Sequence, residues 1–150
     1  MSKHYSNAHW EGNLKEGKGK YSLKTSGYEG NVKFSTRFED DKSASSPEEL
    51  IGAALASCFS MALAHALDQA GHKPERIDTS AEVLLANTGS GFAITEILLK
   101  TKGRVRNLEN EKFLKIAEET KSGCPVSRAL TGTNIRLEAE LIQSLKEQKA

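Results

Sequence analysis

Over the first forty residues, apolar positions are sparse and alternate with polar ones between short turn-forming stretches. "AHWEGNL" and "KYSLKT" each read as a short strand bounded by glycine. In "NVKFSTRF" the alternation is cleaner. Val32, Phe34, Thr36 and Phe38 fall on one side and Lys33, Ser35 and Arg37 on the other, which predicts a strand. The rhythm then breaks. From Leu50 to Leu67 there is no Asp, Glu, Lys or Arg, and apolar or small residues occupy every side of a helical wheel. Ser46 suits an N-cap, Pro47 the first helical position and Glu49 the third position of a capping box, while Gly71 supplies a stop after Ala70. These signals predict one long helix enclosed by the protein or by an assembly.

Alternation returns in residues 77–86 and 91–105, two strands joined by the turn "NTGS". A helical period follows over roughly 108–121, with Phe113, Leu114, Ile116 and Ala117 as its apolar stripe. Gly123 breaks that helix, and Pro125 can begin a short one through Leu130. "TNIRLEAELI" (133–142) alternates again and predicts a last strand, and "KEQKA" a frayed tail. With no internal repeat and no linker, residues 1–150 read as a single α+β domain.

A net charge of +1, with acids and bases interleaved, offers no electrostatic footprint for nucleic acid. The uncharged stretch reaches the length of a membrane span, but its many alanines, its serines and its histidine make it weakly apolar, which favours a helix inside protein. The N-terminus carries no apolar secretory segment, so a cytoplasmic location with reduced thiols is expected.

Two cysteines remain, Cys58 within the apolar helix and Cys124 in "KSGCPVSRAL". Taken alone, Cys58 reads more readily as a small buried hydrophobe than as a reactive thiol. Cys124 precedes a helix-starting proline, where free backbone N–H groups favour a thiolate, though a cysteine can also cap there as serine does. Without a CxxC the pair is not a thioredoxin-like motif. It suits a thiol peroxidase, in which one thiolate opens a peroxide and the other condenses with the resulting sulfenic acid. Such chemistry needs a cation beside the attacking sulfur. Arg37 is a candidate, but Arg76, Arg104, Arg106 and Arg128 compete on equal terms.

"SPEELIGAALASCFSMALAHAL" with "GCPVS", "FSTRFE" upstream and "GFAITEI" between them closely resembles the OsmC/Ohr family of organic hydroperoxide reductases, on its OsmC branch. The resemblance covers essentially the whole chain. It implies a fold of antiparallel strands wrapped around a long central buried helix, in an intertwined homodimer with active sites at the subunit boundary. It implies organic hydroperoxides as substrates and a small dithiol of the dihydrolipoyl type as reductant, with no cofactor, metal, nucleic acid or membrane. Carried onto this sequence, Cys58 takes the peroxidatic role and Cys124 the resolving one. Arg37 assists thiolate and peroxide, and Glu48 pairs with Arg37.

Two expectations extend this. Ten helical residues separate Glu48 from Cys58, about 15 Å of rise, so Glu48 would serve the thiol of a partner subunit. Apolar neighbours of Cys58, namely Ile51, Leu55, Phe59 and Met61, would line a site for the alkyl part of the substrate. His65 reads as a core or interface histidine. A redox sensor without turnover is the alternative function; a metal site lacks any compact ligand spacing.

Overall fold

Short alternating stretches and glycine turns at the N-terminus produce a three-stranded antiparallel sheet, β1 (Ser6–Glu11), β2 (Lys18–Leu23) and β3 (Tyr28–Val32), in that order. The computed structural model describes residues 1–143 and resolves two compact units, Met1–Leu50 and the chain from Ile51 onward. The "KEQKA" tail lies outside the described residues.

"NVKFSTRF" is not the strand that its alternation predicts. β3 ends at Val32, and Phe34–Phe38 form a short helix, α1, so Arg37 is helical. The period is the reason: Phe34 and Phe38 stand at i and i+4, which a strand and a helix both place on one face. The helical choice brings their rings to 4.9 Å. It also lets Thr36 Oγ1 accept from the Lys33 N–H and donate to the Ser45 carbonyl at 2.8 Å.

Helix α2 (Pro47–Gln69) starts and stops where its local signals predict. The Ser46 hydroxyl accepts the Glu49 N–H at 3.1 Å. At the other end Gly71 takes a φ of +83°, and the His72 N–H returns to the Leu67 carbonyl at 2.9 Å. Leu55, Phe59, Leu63 and Leu67, four apart, are fully buried. Within the chain, however, only that face is enclosed: Ala53, Ala54, Ser57, Met61 and His65 are exposed. His65 is therefore no core residue here. By length and composition α2 is apolar enough to cross a membrane, contrary to the sequence reading. Its buried row instead docks on a sheet, and Ser60 Oγ donates to Thr79 Oγ1 at 2.8 Å.

That sheet is built from β4 (Pro74–Asn87), β5 (Phe92–Val105) and β6 (Asn134–Ile142). β4 and β5 form the expected long antiparallel hairpin, but β6 pairs with β5 in parallel, against the expectation of antiparallel strands. A parallel neighbour requires a crossover connection. Helices α3 (Asn110–Gly123) and α4 (Pro125–Ala129) supply it. On α3, Phe113 and Ala117 are buried as predicted, whereas Leu114 is exposed and Thr120 takes the inward place. The result is an α+β architecture.

At Gly103 on β5, the Phe113 ring of α3 lies directly against the strand. A β-carbon there would lie 2.5 Å from Phe113 Cε2, and that ring, fully buried, has nowhere to retreat. Gly103→Ala should cost about 1–3 kcal/mol of stability. Urea unfolding should show a lower midpoint with unchanged slope; an unaltered midpoint would mean that the ring relocates freely.

Candidate active site

Within Met1–Leu50, the turn of α1 brings a guanidinium against the first turn of α2. Arg37 donates from Nε and Nη2 to Glu48 Oε1, both at 2.9 Å. The connecting loop is tied down from α1. Ser35 Oγ donates to Asp41 at 2.6 Å and the Ser43 N–H to the same carboxylate at 2.8 Å, which hold the Asp41 pKa down to about 2. Lys33 Nζ donates to Ser43 Oγ at 2.9 Å. Glu48 is only 7% exposed, and its Oε2 is buried without a hydrogen-bond partner. Buried carboxylates ordinarily satisfy both oxygens. This one keeps an acceptor free beside a cation.

Within the second unit, the middle of α2 and the α3–α4 junction bring the two thiols together, both reduced. Cys58 is half-buried and Cys124 is 1% exposed. Cys124 ends α3 and caps α4, with Pro125 as first helical residue, as "GCPVS" predicts. Its Sγ lies 3.1 Å from Ser127 Oγ and accepts the Ser127 N–H at 3.4 Å. Cys58 and Cys124 lie close enough for each to act on the other's acidity.

The two sulfurs differ in acidity. Burial pushes the Cys58 thiol up, and Cys124 pushes the same way against a bond from the Val126 N–H. Burial also acts to raise Cys124, but the Ser127 hydroxyl and N–H, then Cys58 and the Val126 N–H, outweigh it and leave that thiol below its ordinary value. Of the two thiols, Cys124 is therefore the more acidic and the first to ionise. A thiolate held at Cys58 by its own surroundings is not what these contacts produce.

The four residues expected around an alkyl chain do not share one surface. Leu55 and Phe59 belong to the core, Ile51 packs at its edge, and Met61 is 74% exposed on the open side of α2. Among the described residues, no three His, Cys, Asp or Glu side chains converge as metal ligands. Sequence reading passed over Ser127. Its position three after a capping residue, where cap side chains find their donors, is the signal that could have found it.

Residues 39–140 match the family described as OsmC-like protein, a span that includes Glu48, Cys58 and Cys124 and begins just after Arg37. Peroxiredoxin OsmC of Escherichia coli is 48% identical over 124 residues, covering 82% of this chain and 86% of the relative. The chain belongs to the OsmC family. Solved structures agree in fold. An OsmC-like protein of unknown function from Vibrio cholerae has a TM-score of 0.74 at 16% identity, covering 93% of this chain and 99% of its own. The organic hydroperoxide resistance protein OhrB of Bacillus subtilis has a TM-score of 0.66 at 21% identity, covering 92% and 98%. The OsmC/Ohr fold expected from the motifs is the one this OsmC-family chain adopts.

Ser127→Ala removes the hydroxyl bond to Cys124 and leaves the backbone one. The Cys124 pKa should rise, moving its alkylation profile with iodoacetamide to higher pH with no loss of helix signal. A profile that stays in place would mean that the hydroxyl does not stabilise the thiolate.

Proposed function

We propose that this OsmC-family peroxidase reduces organic hydroperoxides to alcohols through a Cys58 sulfenic acid and a Cys58–Cys124 disulfide. The observation that carries this reading is the nearness of two reduced thiols, one in α2 and one at the α3–α4 junction, each acting on the other's acidity. When Cys124 carries the proton of the singly ionised pair, Cys58 is the thiolate and Cys124 the acid. Cys58 Sγ attacks the terminal peroxide oxygen, the O–O bond breaks, and the departing alkoxide takes the proton from Cys124. Cys124, now the thiolate that Ser127 favours, attacks Cys58 Sγ and expels hydroxide as the S–S bond forms. One hydroperoxide and the monoanionic pair thus become one alcohol, one hydroxide and a disulfide.

Because Cys58 is the weaker acid of the pair, the first step needs a cation beside its sulfur. Arg37, fixed by Glu48, is the group proposed for it, and the free Glu48 oxygen is placed to accept the peroxide O–H. Ten residues of one helix, about 15 Å, separate Glu48 from Cys58. We therefore assign the Arg37–Glu48 pair to the thiol of a partner subunit in an intertwined homodimer. The exposed side of α2 supports such an assembly. The family match crosses the boundary between the two compact units, which supports treating residues 1–150 as one domain. Of the proposed alkyl-binding residues, Ile51 and Met61 have surface to offer a substrate, whereas Leu55 and Phe59 face the core. A dihydrolipoyl-type dithiol recycles the disulfide in this cytoplasmic scheme.

Cumene hydroperoxide should turn over steadily with lipoyl dithiol, at roughly ten- to a hundredfold higher kcat/KM than hydrogen peroxide. That is the worth of burying one aryl or branched alkyl group. Consumption of one equivalent followed by arrest would instead mark a redox sensor.

Cys58→Ser should abolish turnover. Cys124→Ser should allow one oxidation and then accumulate sulfenic acid or higher oxides on Cys58. Peptide mapping of peroxide-treated protein without a Cys58–Cys124 link would end the two-thiol mechanism. Arg37→Lys should lower kcat/KM, because a point charge cannot replace a planar fork; an unchanged value would remove Arg37 from the site.

A further inference from the structure

A disulfide formed by a residue as buried as Cys124 has to be reached by its reductant, and among the described residues of the second unit a cleft has Cys124 in its wall. It lies between α2 and α3, has a volume of about 530 Å³, and is walled by Ala62, Ala66 and Ala70 on one side and by Ile116, Gly123 and Cys124 on the other. That volume falls within the range of small-ligand sites. Gln69 and Glu119 add polar groups to its lining. Cys58 does not line it. On α2 the alanines continue, four residues at a time, the row that Cys58 begins, so the cleft runs along the helix away from the thiol pair.

We infer that this cleft is the access route of the dithiol reductant and that it directs the attacking thiolate to Cys124. The inference rests on the two-thiol reading above. The cleft is lined by one cysteine of the pair and not by the other, which decides between its two conceivable occupants. A hydroperoxide has to contact Cys58, so an alkyl tail seated here would lead its peroxide group to the wrong sulfur. A thiol seated here meets Cys124. Alanine and glycine walls leave width for a chain that carries its thiols at one end.

The exchange balances as two displacements on sulfur. One thiolate of the singly ionised dithiol attacks Cys124 Sγ, the S–S bond breaks, and Cys58 leaves as a thiolate. Cys58 takes the proton of the second thiol. The thiolate so formed attacks the reductant's own sulfur in the mixed disulfide and expels Cys124. The products are a cyclic disulfide, a Cys58 thiol and a Cys124 thiolate, with the charge left on the more acidic sulfur. The second displacement benefits from a leaving thiolate that already accepts the Ser127 N–H.

Residue Gly123 gives a direct test, because a β-carbon there meets nothing within 4 Å and its φ is not positive. Gly123→Leu and Ala66→Leu should fill the cleft, with Ala66→Ser as the size-conserving control. In single-turnover measurements on the full chain, oxidation by cumene hydroperoxide should keep its wild-type rate in all three. Reduction of the disulfide by dihydrolipoamide should fall roughly tenfold or more in the two leucine variants and stay normal in Ala66→Ser.

The site of attack can be read separately. An unbranched monothiol such as hexanethiol, added to the oxidised protein with iodoacetamide, should leave its adduct on Cys124 and the alkyl label on Cys58. Normal reduction in the leucine variants, or an adduct on Cys58, would overturn the inference while leaving the two-thiol mechanism intact. Slowed oxidation in the same variants would make the cleft the hydroperoxide's route and overturn it equally. Failure of the wild-type protein to form the disulfide would instead defeat the underlying reading.

Discussion

The nearness of Cys58 and Cys124 is the constraint on which the proposed chemistry depends. Two thiols in an apolar interior cannot both ionise, since burial disfavours each charge and the charges repel. One proton is therefore retained and its position becomes the variable. Each unit of pKa difference between the sulfurs is worth about 1.4 kcal/mol. Ser127 tips that balance toward a Cys124 thiolate, and Arg37, in the proposed assembly, tips it back at the moment of attack. The pair is thus poised for two successive nucleophilic roles without a separate acid or base.

The rest of the molecule serves the placement of those few groups. Cys58 is held by a helix whose Leu55–Phe59–Leu63–Leu67 row is locked into the core, so its position follows from packing. Cys124 is held by a cap, at the point where α3 stops and α4 starts. These are rigid supports of different kinds, and they meet because the crossover from β5 to β6 must pass over the face of the sheet that α2 also covers. The parallel pairing of β6 is therefore connected to the chemistry. An antiparallel β6 would need no crossover of that length, and so no α3–α4 junction beside Cys58.

The Arg37–Glu48 pair shows the opposite strategy, with polar tethers in place of apolar packing. Asp41 gathers Ser35 and Ser43, and Thr36 reaches Ser45. The ion pair is half exposed on the arginine side, so its geometry matters more than its strength. The buried, unpartnered Glu48 oxygen is the costly element. Such a cost is tolerated where the free acceptor has work to do.

The local elements of this protein were legible in its sequence because their signals act over a few residues. Ser46, Pro47 and Gly71 bound α2 by capping and by φ preference, and "CP" places Cys124 at a helix start. The recurring motifs around the cysteines and "PEEL" also named the family and its fold. The turn at Phe34–Phe38 was not legible, because an i, i+4 pair of phenylalanines satisfies strand and helix alike and the deciding partners, Asp41 and Ser45, come later in the chain. The buried face of α2 could not be read either, since every face is apolar and only the sheet selects one. Likewise the direction of β6 and the exchange of Leu114 for Thr120 depend on a strand and a helix packing across long sequence separations. Which sulfur ionises first belongs to the same class. Acidity is set by which donors surround a sulfur in space, and the donors to Cys124 come partly from its own cap and partly from a helix more than sixty residues away.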